Sequence, residues 1–264
     1  VRPAGDIMTE MTPERSLNIY FQYVTDAAGV SRAVEELRRE KRLGFDTETT
    51  ELDPYKGRLR LVQLSTGRTT FVFDLYSFGD SRTAADLKPL RGLLEDPSVM
   101  KVAHNAKFDL KWIRHHLGCE TNGVFDTYLA SVLISAGDGD RRHSLADVAK
   151  FFTDTELDKS EQISDWNASE LSQSQLQYAA LDAQVMLPLH EQMADRLAND
   201  GLTRVAQLEF DCLMPIAEME LNGIYLDATR WREQLDKVRI TQAKTANELQ
   251  DLLSAGVATG STLA

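Results

Sequence analysis

The chain has 264 residues, 42% of them hydrophobic, enough for one full domain with an ordinary core and a smaller element beside it. Twenty-nine basic residues against 41 acidic ones leave a net charge of −12, which opposes tight sequence-independent attachment to duplex nucleic acid by counterion release and confines any such contact to a local patch. No run of about 18 apolar residues is present and residues 1–10 lack the apolar stretch of a signal peptide, so neither a membrane partner nor export is expected and the location read from the sequence is intracellular.

Residues 1–17 contain Pro3, Gly5 and Pro13 with little periodicity and read as a loose leader. Residues 18–24 alternate apolar and polar side chains like an edge strand. Residues 26–39 carry Val30, Ala33, Val34 and Leu37 at helical spacing. Residues 43–46 form a short apolar strand, and two β-rich runs, 59–65 and 70–74, flank Gly67-Arg68 as a hairpin turn, giving an antiparallel meander. A helix over 83–94, a strand over 99–103 and a helix over 106–117 capped by Asn105 make a crossover. Helices are expected at 126–135, 144–152 and 169–199, the last kinked where Pro188 removes a backbone donor. Beyond Gly201 one long amphipathic helix is expected over 202–221, stopped at Asn222-Gly223, then another from 227 or 228 to about 253. The fold class is α/β: a mixed sheet flanked by helices, then a helical extension. Residues 255–264 have nothing after them to pack against, which suggests that the natural chain continues.

Asp46 and Glu48 alternate along their strand and so leave the same face of the sheet. Two carboxylates that close repel each other, and a divalent cation relieves the repulsion. An exposed strand end would look the same. Asp109, in the first turn of its helix, is favourable against the macrodipole without any function. Tyr178 and Asp182 lie four apart on one helical face, an ordinary pairing by itself.

The order of these segments carries more than any one of them. Phe45-Asp46-Thr47-Glu48-Thr49, His104-Asn105-Ala106-Lys107-Phe108-Asp109 and Tyr178-Ala179-Ala180-Leu181-Asp182-Ala183 resemble the three exonuclease motifs of the DEDD superfamily, in the branch whose third motif carries tyrosine. With Leu87-Lys88-Pro89-Leu90 and Phe125-Asp126-Thr127, the stretch from about Asn18 to Asp227 is similar to the proofreading domain of bacterial family-A polymerases. Leu61-Val62-Gln63-Leu64-Ser65 and Ser144-Leu145-Ala146-Asp147 resemble the ribonuclease D branch, as does His104, where the polymerases usually have glutamine. Residues 208–224 are similar to the join between exonuclease and polymerase thumb.

The resemblance implies a ribonuclease H-like fold, with an exonuclease domain over 18–200 and the start of a thumb-like region over 201–264. It implies two magnesium or manganese ions: Asp46, Glu48 and Asp182 around the one that activates water, Asp46 and Asp109 around the one beside the leaving 3′-oxygen. Tyr178, with an intrinsic pKa near 10, would orient that water. The implied activity is 3′-5′ exonucleolytic hydrolysis of single-stranded DNA, releasing nucleoside 5′-monophosphates for a polymerase domain of the same longer chain, at the nucleoid. A ribonuclease D-like exoribonuclease and a catalytically silent positioning module are the alternatives.

For nucleic-acid contacts the resemblance implies Leu52 as a wedge against the terminal base and Asn105 at the substrate, with His104 beside it. Leu52 could equally be core. Lys107, Lys111 and Arg114 share a helix face, and Arg141 and Arg142 precede a helix start; either set could guide phosphates or be a solvated charged face. Phe108, Trp112, Tyr128 and Trp166 could stack on bases, but helical aromatics are more often core, which leaves Tyr128. Cys119 and Cys212 are far apart, with no disulfide or zinc pattern.

Overall fold

The computed structural model describes residues 20–136, 138–158, 161 and 163–258. The leader at 1–17, the beginning of the first expected strand and the last six residues lie outside them. Six strands form one mixed sheet: β1 (Phe21–Val24), β2 (Arg42–Thr49), β3 (Leu59–Ser65), β4 (Thr70–Asp74), β5 (Met100–Ala103) and β6 (Val124–Asp126), in the spatial order β1-β4-β3-β2-β5-β6. β2, β3 and β4 are the antiparallel meander. β1 joins β4, β5 joins β2 and β6 joins β5, all in parallel. The hairpin turns at Gly67, whose φ of 82° suits a residue without Cβ.

Strand alternation gives the sheet two unlike faces. Leu43, Phe45, Val62, Leu64, Phe71 and Phe73 point to one side. All are buried in the main core, with residues of α1 (Ala27–Leu37), α2 (Lys88–Leu94) and α3 (Lys107–Trp112). Burying each such side chain contributes roughly 1.5–3 kcal/mol. The other side carries Gly44, Asp46, Gln63, Ser65, Thr70 and Val72, mostly small or polar, and α6 (Gln173–Asn199) covers it with Ala179, Ala180 and Ala183. The contact is close enough for Thr70 Oγ1 to donate to the Ala180 carbonyl at 3.3 Å.

Several boundaries differ from the sequence reading. The helix expected over 83–94 is a 3-10 turn at Ala85–Leu87 and then α2, because Pro89 is tolerated only in a first helical turn. β2 runs on through the acidic pair to Thr49, where a bulge ends the regular register. α3 is not capped by the Asn105 side chain; Asp126 accepts from the backbone N–H of Asn105 at 3.1 Å and of Ala106 at 2.9 Å. Asp126 also caps α4 (Thr127–Ile134), which leaves Val124–Asp126 as a strand that the sequence reading missed. α5 (Leu145–Thr153) follows Ser144. α6 starts after a capping box of Ser172 and Gln175, four residues later than expected, and continues past Pro188.

The single helix expected over 202–221 is two: α7 (Thr203–Asp211) and α8 (Leu213–Asn222). Pro215 has no N–H to offer the Asp211 carbonyl, so the ladder breaks at Cys212. Ala206, Phe210, Leu213 and Ala217 enter the main core. The first compact unit accordingly reaches Leu221. The second holds α9 (Ala228–Ala258), begun by Asp227, whose side chain accepts from the N–H of Thr229 and Arg230. No helix among the described residues is long and apolar enough to cross a membrane.

Candidate active site

β2 supplies two carboxylates from one face because strand side chains repeat every second residue. Asp46 and Glu48 leave toward α6, which brings Asp182. The approach depends on Gly44: a Cβ there would lie 1.9 Å from the Ala183 carbonyl oxygen. One carboxylate oxygen from each of Asp46, Glu48 and Asp182 lies within 4.8 Å of the others. Asp109 comes from α3 on the opposite face. Its Oδ1 accepts the Thr47 hydroxyl at 2.5 Å, and Thr47 stands between the two strand acids but points the other way. Each face of the sheet thus sends one helical carboxylate to the end of β2.

The cluster is short of compensation. Burial first, then the charges of Asp109, Glu48 and Asp182, hold the Asp46 carboxyl well above its ordinary range. Burial, then Asp182 and Asp109, do the same to Glu48. Burial pushes Asp109 up to about 7 against the hydrogen bond from Thr47, and Asp182 up to about 7 against that from Tyr178. Hard oxygen donors that crowd together and resist ionising suit a divalent cation, which favours their charged form. The donor set therefore fits magnesium or manganese, with Asp46, Glu48 and Asp182 able to share one ion.

Tyr178 stands one helical turn before Asp182, and burial, then the Asp182 charge, push its phenol far up, so it stays a hydroxyl at neutral pH. Trp166 lies behind it, with ring centroids 6.4 Å apart. The segment carrying Trp166 is fastened by Arg60, a buried residue that donates to the Ala168 carbonyl at 2.5 Å and pairs with buried Asp74 at 2.9 Å. Neither Arg60 nor Asp74 stood out in the sequence.

The remaining sequence-derived candidates divide. Leu52, in the connection between β2 and β3, is 84% exposed, which removes the reading as a core residue. Asn105 is exposed and in the left-handed region at φ 58°, a conformation that asparagine tolerates. His104 is occupied otherwise: Nε2 donates to the His143 carbonyl and Nδ1 meets Thr127 Oγ1, each at 2.9 Å. Burial draws its pKa down to about 4, so the ring is a neutral brace between β5, α4 and the segment before α5. Lys107 and Lys111 of α3 share the Glu220 carboxylate at 2.5 and 2.7 Å and Arg114, just beyond α3, binds Glu218 at 3.0 Å, so all three bases are paired with acids of α8 and only one net positive charge remains. Arg141 stacks on Phe151, its Cζ 3.4 Å from the ring centroid, while Arg142 is exposed. Trp112 and Trp166 are core; Tyr128, 37% exposed, meets His104 edge-on.

A family profile described as 3′-5′ exonuclease matches residues 21–198. The chain is 35% identical over 250 residues to DNA polymerase I of Aquifex aeolicus, covering 88% of this chain and 40% of that protein. It is 33% identical over 178 residues to ribonuclease D of Gluconacetobacter diazotrophicus, covering 67% of this chain and 43% of that one. It spans less than half the length of either relative. The solved structure of Brucella melitensis NrnC with bound Mg2+ is similar with a TM-score of 0.66 and 30% identity, over 80% of this chain and 99% of NrnC. A match over 88% of the chain necessarily runs past residue 198 into α7 and α8.

Proposed function

Because the chain belongs to the 3′-5′ exonuclease family of the DEDD superfamily, we propose that Asp46, Glu48, Asp109 and Asp182 hold two divalent ions and remove nucleotides from the 3′ end of single-stranded DNA, as the proofreading part of a longer polymerase I-like protein. Hydrolytic exonuclease activity and the use of divalent metal come with the family. The observation that carries the assignment to these residues is the meeting of three carboxylates within 4.8 Å, where burial and mutual repulsion raise the Asp46 carboxyl. Ions bound there supply a water of lowered pKa and neutralise charge on the scissile phosphate.

The chain's own groups divide the remaining work. Asp46, Glu48 and Asp182 hold the site of water activation, and Asp46 and Asp109 the site of the leaving 3′-oxygen. Thr47 fixes the Asp109 carboxylate by its hydroxyl. The Tyr178 phenol, a hydroxyl at neutral pH that bonds Asp182 here, would turn its single O–H to the attacking water and orient it. Leu52 and Asn105, both exposed, are the side chains assigned to wedge and hold the terminal nucleotide.

The polymerase context is supported by the 35% identity to DNA polymerase I over 250 residues. On this reading, residues from 201 onward lead toward a thumb-like region and the partner is the polymerase domain of the same chain. The second reading is a ribonuclease D-like exoribonuclease, favoured by His104 in the second motif and by the match to ribonuclease D. Single-turnover digestion of DNA and RNA oligonucleotides of one sequence separates them. Faster shortening of DNA supports proofreading, and a strong preference for RNA replaces it with RNA trimming.

A further inference from the structure

Gln63 lies in the middle of β3, directly opposite Asp46 in the antiparallel register. Both side chains therefore leave the same face, with Cβ atoms roughly 4.5–5.5 Å apart. Gln63 is wholly buried. Neither Oε1 nor Nε2 of its amide has a hydrogen-bond partner among the described residues. Its neighbours on that face are mostly apolar: Val72 stands opposite on β4, Leu61 precedes it along β3 and α6 contributes alanines, while Ser65, next along β3, has its hydroxyl oxygen engaged by Thr70 and the Gly67 N–H.

A packing role does not account for this residue. Leucine or methionine would fill the same volume without stripping an amide of water for no return. The carboxylate directly across the strand pair is an acceptor within reach of a glutamine side chain. An amide also differs from lysine or arginine here in a useful way, since it donates a hydrogen bond without a charge that would compete with a cation.

We infer that Gln63 is a positioning residue for the ion-binding carboxylates: its Nε2 donates to Asp46 and fixes that carboxylate in the orientation that holds a divalent cation. Metal ligands commonly rely on such outer partners, because a carboxylate that gives lone pairs to an ion still has others to satisfy. The inference rests on the reading of Asp46 as an ion ligand. A hydrogen bond to Asp46 would repay the burial of an amide that no other described residue satisfies.

The test is a calorimetric titration of wild type, Gln63→Leu and Gln63→Met with Mn2+, beside thermal unfolding of each in chelator. Gln63→Met retains a flexible side chain of similar length, should the leucine variant fold poorly. In chelator the variants should unfold at the wild-type temperature or above, since an unsatisfied amide has gone. Their Mn2+ affinity should fall about 10- to 100-fold, and the Mn2+ concentration needed for nuclease activity should rise in step. Undiminished Mn2+ binding in both variants, with normal uptake by wild type, would overturn the role of Gln63 alone. A chelator-state melting temperature that drops in both variants, with Mn2+ affinity unchanged, would mark it as a packing residue. Failure of the wild type itself to bind Mn2+ would overturn the ion-site reading and this inference with it.

Discussion

Gly44 of β2 and Ala183 of α6 meet backbone to backbone: a Cβ on Gly44 would stand 1.9 Å from the Ala183 carbonyl oxygen. Asp182 immediately precedes that carbonyl, and Asp46 lies two residues along the strand. The distance between the strand acids and the helical acid is therefore set by an absent methyl group. Gly44→Ala should push α6 from the sheet at a cost of about 3 kcal/mol, near the top of the usual range for overpacking. A displacement near 1 Å at the cluster should slow hydrolysis about 100-fold. Denaturant unfolding and single-turnover digestion check both, and wild-type values in either would show that α6 yields without strain.

Thr47 acts from the opposite face. Its hydroxyl holds Asp109 at 2.5 Å and opposes the upward pull of burial on that carboxyl. Thr47→Val keeps the shape and removes the donor. We expect protons to compete harder for Asp109, so that the Mg2+ concentration giving half-maximal rate rises several-fold at pH 7 while the rate at saturating Mg2+ recovers. The measurement is a Mg2+ titration of the initial rate. An unaltered midpoint would separate Asp109 from ion binding.

Asp109 and Asp182 are both held up to about 7 by burial, against about 3.9 for an aspartate in an unfolded chain. The folded state thus binds these protons more tightly than the unfolded state. The stability they lend is complete below about pH 4 and is lost as pH rises through 7. In chelator, the melting temperature should fall between pH 5 and pH 8, and excess Mg2+ should remove most of the fall. Asp109→Asn should flatten the slope. A chelated protein that becomes more stable across this interval would contradict the assignment of these pressures to the two aspartates.

Tyr178→Phe removes one orienting hydrogen bond and leaves the carboxylates in place. The barrier should rise by about 1–3 kcal/mol, a loss of roughly 5- to 150-fold in the single-turnover rate. Because the phenol also donates to Asp182, Mn2+ affinity should fall several-fold while the rate stays low at saturating Mn2+. A loss as deep as that of Asp46→Ala would mean that the phenol does more than orient water.

Regular periodicities were legible in the sequence, and pairings between distant segments were not. The alternation of Asp46 and Glu48, the four-residue spacing of Tyr178 and Asp182, the meander and the buried stripe of α1 all follow from local rules. β6 was missed because three residues are too few to show a period. The break between α7 and α8 was present as Pro215 and was passed over in favour of a continuous amphipathic pattern. The basic residues could not be judged locally: whether Lys107 is free depends on Glu220, 113 positions away, and whether His104 can face a substrate depends on the carbonyl of His143. Asn105 looked like a cap because asparagine often is one. The oxygen that does the work belongs to Asp126, on the neighbouring strand.

The central claim is that this carboxylate cluster cuts from the 3′ end with divalent metal. It is tested most directly by incubating a 5′-labelled single-stranded oligonucleotide with wild type and with Asp46→Ala, in Mg2+, in Mn2+ and in chelator. A ladder of labelled products shortening from the 3′ end is expected with either ion, none in chelator and none with Asp46→Ala. An undiminished ladder from pure Asp46→Ala protein, or immediate release of the 5′ label as a mononucleotide, would contradict it.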